Sequence, residues 1–81
     1  MLYVNDTLYT FYDHLLLRIT RRKIDVKWIE TVMENPERYE LSDTSSYQIY
    51  VGHVKGDERA FFVVVDEVNL QIVSAYFYEP I

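Results

Sequence analysis

Residues 13–25 read DHLLLRITRRKID, and how this stretch is read decides the fold. At the helical spacing of about 100° per residue, His14, Arg18, Arg21 and Arg22 fall within one sector roughly 100° wide, and Leu15, Leu16 and Ile19 occupy the adjoining sector. The pattern predicts an amphipathic helix over 13–23 capped by Asp13, with one face to bury and one to bind. Asp25 caps a second helix, in which Val26, Ile29, Val32 and Met33 recur at helical spacing and which Asn35-Pro36 ends. Trp28 falls about 40° beyond that stripe and is expected at the edge of the core.

Working outward, residues 8–12 (LYTFY) follow the turn-prone Asn5-Asp6 and predict a short first strand. On the other side, the polar run 42–46 predicts a loop. Residues 47–54 predict a strand with Tyr47, Ile49, Val51 and His53 on one face, and 55–58 a hairpin turn. The continuous apolar run 61–65 is expected to be a central strand covered on both faces; a turn at 66–69 leads to a last strand over 71–78. The expected fold is a single α+β domain ordered strand-helix-helix-strand-strand-strand. Both helices pack on one face of a small, mainly antiparallel sheet, and the other face carries many of the tyrosines.

The chain has 81 residues, 49 % of them hydrophobic, with two Gly, two Pro and no Cys. So small a domain has a marginal core, and so few turn formers leave little room for a glycine-rich phosphate loop. Without cysteine there is no disulfide framework, thiolate zinc site or thiol nucleophile. The absence of a membrane-length apolar run or signal-like N-terminus gives the expectation of a soluble, cytoplasmic protein. Net charge is −5, which opposes generic attraction to nucleic acid, but the charge is unevenly spread. Residues 18–27 hold Arg18, Arg21, Arg22, Lys23 and Lys27 against Asp25 alone, leaving three basic and twelve acidic residues elsewhere.

His14, three residues, Arg18-Ile19, two residues, Arg22, one residue, Ile24 is similar to the opening signature of a small uncharacterised bacterial domain family: His, three residues, Arg-Met, two residues, Arg-Gly-Ile. Downstream, Glu34-Asn35-Pro36-Glu37 resembles the family's Asn-Pro-Glu-like close of a second helix. The segment from Ala75 through Tyr76, Phe77, Tyr78 and Glu79 to Pro80 looks like its Val-Tyr-x-Pro-like last strand. Lys23 stands where the family has Gly. That family is placed near the RelE, ParE and BrnT toxins of bacterial toxin–antitoxin pairs. The resemblance implies a RelE-like fold and a toxin-type protein acting on RNA or the translation machinery, with a cognate antitoxin as partner. RelE-type ribonucleases are usually strongly basic, and this chain is acidic.

For a metal-independent endoribonuclease, His14 is the residue suited to move a proton near neutral pH, with Arg18 and Arg22 holding a phosphate as its charge develops. Alternatively, His14 bonds to nearby backbone while Arg18 and Arg22 pair with carboxylates of the sheet or second helix. Arg21, Arg59 and Tyr76 are candidate binding residues. Arg59 opens the central strand and can converge with the helix face, as can His53 and Lys55, unless these form only a solvated hairpin tip. Tyr76 and Tyr78 share a face and either stack on bases or pack as ordinary strand residues. The acidic pairs Asp57-Glu58 and Asp66-Glu67 are expected in turns as solubilising groups. Two histidines without a carboxylate at ligand spacing give no metal site, and no cofactor fingerprint occurs. The second functional class is a noncatalytic module that binds an acidic protein through the basic face, or a basic one through the acidic remainder. A tyrosine-bearing edge strand also offers a homodimer contact.

Overall fold

The computed structural model describes residues 1–43 and 46–79. The elements in chain order are β1 (Leu2–Val4), β2 (Thr7–Phe11), α1 (Asp13–Arg22), α2 (Val26–Glu34), β3 (Arg38–Leu41), β4 (Gln48–His53), β5 (Ala60–Asp66) and β6 (Gln71–Tyr78). The six strands form one mixed sheet ordered β1-β2-β6-β5-β4-β3. All neighbours are antiparallel except β2 and β6. This is an α+β fold, but its order departs from the expected strand-helix-helix-strand-strand-strand by two further strands.

Both added strands have local causes. Asn5 and Asp6 sit in left-handed backbone at φ 48° and 67°, which makes a two-residue turn whose twist matches a hairpin, so Val4 pairs with Thr7 and residues 2–4 become β1. The segment Arg38–Leu41 lacks an apolar alternation because β3 is an edge strand with mostly exposed side chains. Backbone pairing with β4, extended by the Glu37 N–H donating to the Val51 carbonyl at 2.8 Å, holds it there. Part of the loop expected over 42–46, residues 44 and 45, lies outside the described residues, as does Pro80 of the last-strand motif.

The helices begin differently. Asp25 caps α2, its carboxylate accepting from the Lys27 N–H at 2.9 Å. Tyr12, not Asp13, is the N-cap of α1 and makes no side-chain cap bond; Asp13 lies in the first turn, where its charge faces the positive end of the helix dipole. The buried face of α1 is also narrower than expected, because Leu15 and Ile19 enter the core while Leu16 stays 52 % exposed.

One continuous core joins both helices to one sheet face. Leu15 and Ile19 of α1 and Ile29, Val32 and Met33 of α2 pack with Phe61, Val63 and Val65 of β5 and Ile72 and Ala75 of β6. Trp28 packs against this core, edge-on to Phe61 and Phe77 with ring centroids at 6.3 and 5.8 Å. Gly52 lets β4 approach α2: a Cβ built there would lie 3.2 Å from both Val32 methyls. Alternation therefore puts Ile49, Val51 and His53 on the helix-free face. There Phe62 is flanked by Tyr76 and Tyr78, with centroids at 5.6 and 5.3 Å. Tyr9 and Tyr50 belong to the helix side, where both phenols donate to the carboxylate of Glu67 at the β5–β6 connection. In that connection Asp66 is structural: its carboxylate accepts from the Val68 and Asn69 N–H groups, both at 3.0 Å.

Gly52→Ala inserts a methyl where the neighbour must yield, so it should destabilise by about 1–3 kcal/mol in urea unfolding. Combined with Val32→Ala, it should cost less than the sum of the single changes; strict additivity would show that the two sites do not touch.

Candidate anion-binding cleft

The last turn of α1 leads into the cleft. On the helical projection Arg22 lies within about 20° of Leu15, so its stem follows the buried stripe toward the sheet instead of pointing outward. Pairing of β2 with β6 covers only Thr10↔Gln71 and Phe11↔Ile72, leaving the β6 edge beyond Ile72 without a strand neighbour among the described residues. Arg22 meets that edge. Its Nη1 donates to the Ala75 carbonyl at 3.1 Å, supplying the donor an absent strand would have given, and its guanidinium carbon lies 5.9 Å from the Tyr76 ring centroid.

The chain then reverses through a Schellman turn. The Ile24 N–H donates to the Ile19 carbonyl at 2.9 Å and the Lys23 N–H to the Thr20 carbonyl at 3.4 Å. Ile19 and Ile24 are both buried, which supplies the apolar contact of the motif. Lys23 occupies the left-handed position at φ 55°, ψ 45°.

These residues form one wall of a cleft of about 650 Å³. Lys55, Asp57 and Arg59 of the β4–β5 turn line the cleft too, as do Trp28, Tyr76, Phe77 and Glu79. One half is internally neutralised. Arg59 makes a forked bond to Asp57 (Nε–Oδ1 3.0 Å, Nη2–Oδ2 2.8 Å) and reaches Glu79 at 2.5 Å while its guanidinium carbon lies 4.2 Å from the Phe77 ring centroid. The side-chain bonds from Arg59, followed by its backbone N–H, hold the Asp57 carboxyl down at about 2; the side-chain bonds to Asp57 and then to Glu79 raise Arg59. The other half is not neutralised. Arg22, Lys23 and Lys55 are exposed and make no ion pair with a described carboxylate. Tyr76 is half-buried, and burial followed by the charge of Glu40 raises its phenol, so it is a neutral donor at pH 7.

Of the candidate residues, Arg22, Arg59 and Tyr76 meet at this cleft, and His14, Arg18 and Arg21 do not line it. His14 lies at the first turn of α1, about 12 Å along the axis from Arg22, stacked on Tyr12 with ring centroids 5.7 Å apart. Arg18 and Arg21 occupy the exposed side of α1. His53 is bound to Glu37, Nδ1 to Oε2 at 2.6 Å, so this end of β4 is tied to the segment before β3. Lys23 was the least visible participant in the sequence, where it reads as a turn residue. The available signal was Ile19 and Ile24 five apart around the end of a helix, the spacing of a Schellman contact that makes the residue before Ile24 left-handed.

The pairing of Asp57 predicts its pH dependence. Because folding lowers its pKa, the pair contributes stability above about 4, the ordinary carboxylate range, and loses that contribution as pH falls through about 2. A carboxyl NMR titration should give a midpoint near 2 for Asp57, returning toward 4 in Arg59→Met; an unchanged midpoint in the variant would remove Arg59 as the cause.

Comparison of the chain with protein-family models, with curated proteins and with solved structures finds no match at any of the three levels.

Proposed function

We propose that the protein acts on RNA in the manner of a toxin–antitoxin-type protein, with the cleft between the α1–α2 junction and the β4–β5 turn holding the strand. The observation that carries this reading is that Arg22, Lys23 and Lys55, none paired with a described carboxylate, line a cleft together with Tyr76 and Trp28. Unneutralised cations beside aromatic rings suit single-stranded nucleic acid, in which phosphates meet the charges and bases meet the rings. At 650 Å³ the cleft has the size of a site for a small ligand or one to two nucleotides, too small for a duplex. The cleft's other ionisable groups favour holding RNA over cutting it. Asp57 is ionised and tied to Arg59, Glu79 bonds the same guanidinium, and His14 lies outside.

A second reading, a noncatalytic module for an acidic protein such as an antitoxin, is favoured by the outer stripe of α1. His14, Leu17, Arg18 and Arg21 are spaced three and four apart, with Leu17 51 % exposed among the basic residues.

Binding to a fluorescent single-stranded RNA, measured over a salt series, tests the first reading. Lys55→Ala should weaken binding about five- to tenfold, reduce the salt slope by about 0.7 and leave thermal stability unchanged. Induction of the wild type in a bacterial host should arrest growth, and Arg22→Ala/Lys55→Ala should relieve the arrest. RNA affinity indifferent to Lys55 would move the site from the cleft. Protein capture lost in Arg18→Glu/Arg21→Glu, with no RNA affinity in the wild type, would establish the second reading in its place.

A further inference from the structure

We propose that Lys23 is a phosphate ligand, held in an unfavourable backbone conformation because its ammonium completes a subsite with Arg22 and Lys55 for a single phosphate group. This inference rests on the RNA reading and names the element of RNA that the cleft recognises.

The left-handed position of a Schellman turn is the place where glycine is most favoured, since a Cβ there crowds the neighbouring backbone. A lysine at φ 55° therefore carries a conformational cost that the Gly usual at this position avoids. Nothing in the fold needs its side chain: Lys23 is exposed and makes no hydrogen bond or ion pair with a described side chain. Helix-dipole compensation does not account for it either, because Arg21 and Arg22 already place two cations in the last turn of α1 and a third adds repulsion. Its position does account for it. The same Schellman turn that strains the backbone sets Lys23 directly after Arg22, and both line the cleft that Lys55 also lines. Arg22 has one guanidinium nitrogen committed to the Ala75 carbonyl, so its orientation is set before a ligand arrives. A phosphate between these groups receives a planar fork from one side and compact ammonium charges from the others.

The test is Lys23→Gly, which relieves the strain and removes the charge together. Stability and binding should move in opposite directions: Tm rises by about 3–6 °C while affinity for a single-stranded RNA falls about five- to tenfold, with the salt slope reduced by about 0.7. Lys23→Arg should keep wild-type affinity and wild-type Tm, separating charge from strain. If Lys23→Gly is more stable and binds RNA as tightly as wild type while Lys55→Ala does not, the proposal is overturned and the RNA reading stands. Inorganic phosphate, followed by NMR shifts of the Arg22–Ile24 amides, separates the two in the opposite sense. Phosphate binding that Lys23→Gly abolishes, in a protein with no RNA affinity, would retain the subsite and remove RNA as its source. Absence of both phosphate and RNA binding in the wild type would overturn the subsite.

Discussion

Parallel pairing between β2 and β6 stops after two residue pairs, and the arrangement around the cleft depends on that early stop. Beyond Phe11 the chain turns into α1, held at the departure point by the Tyr12 N–H on the Ile72 carbonyl at 3.0 Å. The rest of the β6 edge is left with backbone acceptors and no strand to meet them. An open edge invites pairing with another chain. Here Arg22 covers the Ala75 carbonyl, and covering it brings a cation beside Tyr76, which also lines the cleft. One hydrogen bond thus closes an exposed acceptor and orients a charge.

The end of α1 and the β4–β5 turn line one cleft because of packing elsewhere. Ile24 is buried at the Schellman turn, and Trp28, one turn into α2, lies against Phe61 and Phe77. Those contacts tie the helix junction to the end of the sheet where β5 begins and β6 finishes. The contact of Gly52 with Val32 brings β4 beneath α2, and Lys55 follows two residues after β4 ends. The cations therefore line one cleft through contacts made by apolar neighbours. The Arg59–Asp57–Glu79 group ties the β4–β5 turn to Glu79 without adding net positive charge.

This arrangement reconciles an acidic chain with a basic cleft. A net charge of −5 repels nucleic acid at long range and suppresses indiscriminate binding, while local cations at a small cleft act within a Debye length of about 8 Å.

Much of the fold was legible in periodicity. The spacing of Val26, Ile29, Val32 and Met33, the cap at Asp25 and the apolar run 61–65 specify α2 and β5, because burial demands a repeat that matches the backbone. The edge strands β1 and β3 were hidden for the converse reason: an edge strand is held by backbone hydrogen bonds, which leave no pattern in side chains. The residue types of Arg22, Arg59 and Tyr76 marked them as candidates, yet residue type alone does not say that Arg22 leaves the outer face of α1 while His14, Arg18 and Arg21 remain there. Its angular neighbour Leu15 is the local hint, and the open β6 edge that attracts it is a tertiary fact. By itself the sequence determined which segments are helical, where the chain turns and where positive charge is concentrated, since these depend on near neighbours. Only the tertiary structure decided which charges share a cleft and which are neutralised, because the ion pair of Arg59 with Glu79, and the cleft that Lys23 and Lys55 both line, join residues with no local spacing rule to connect them.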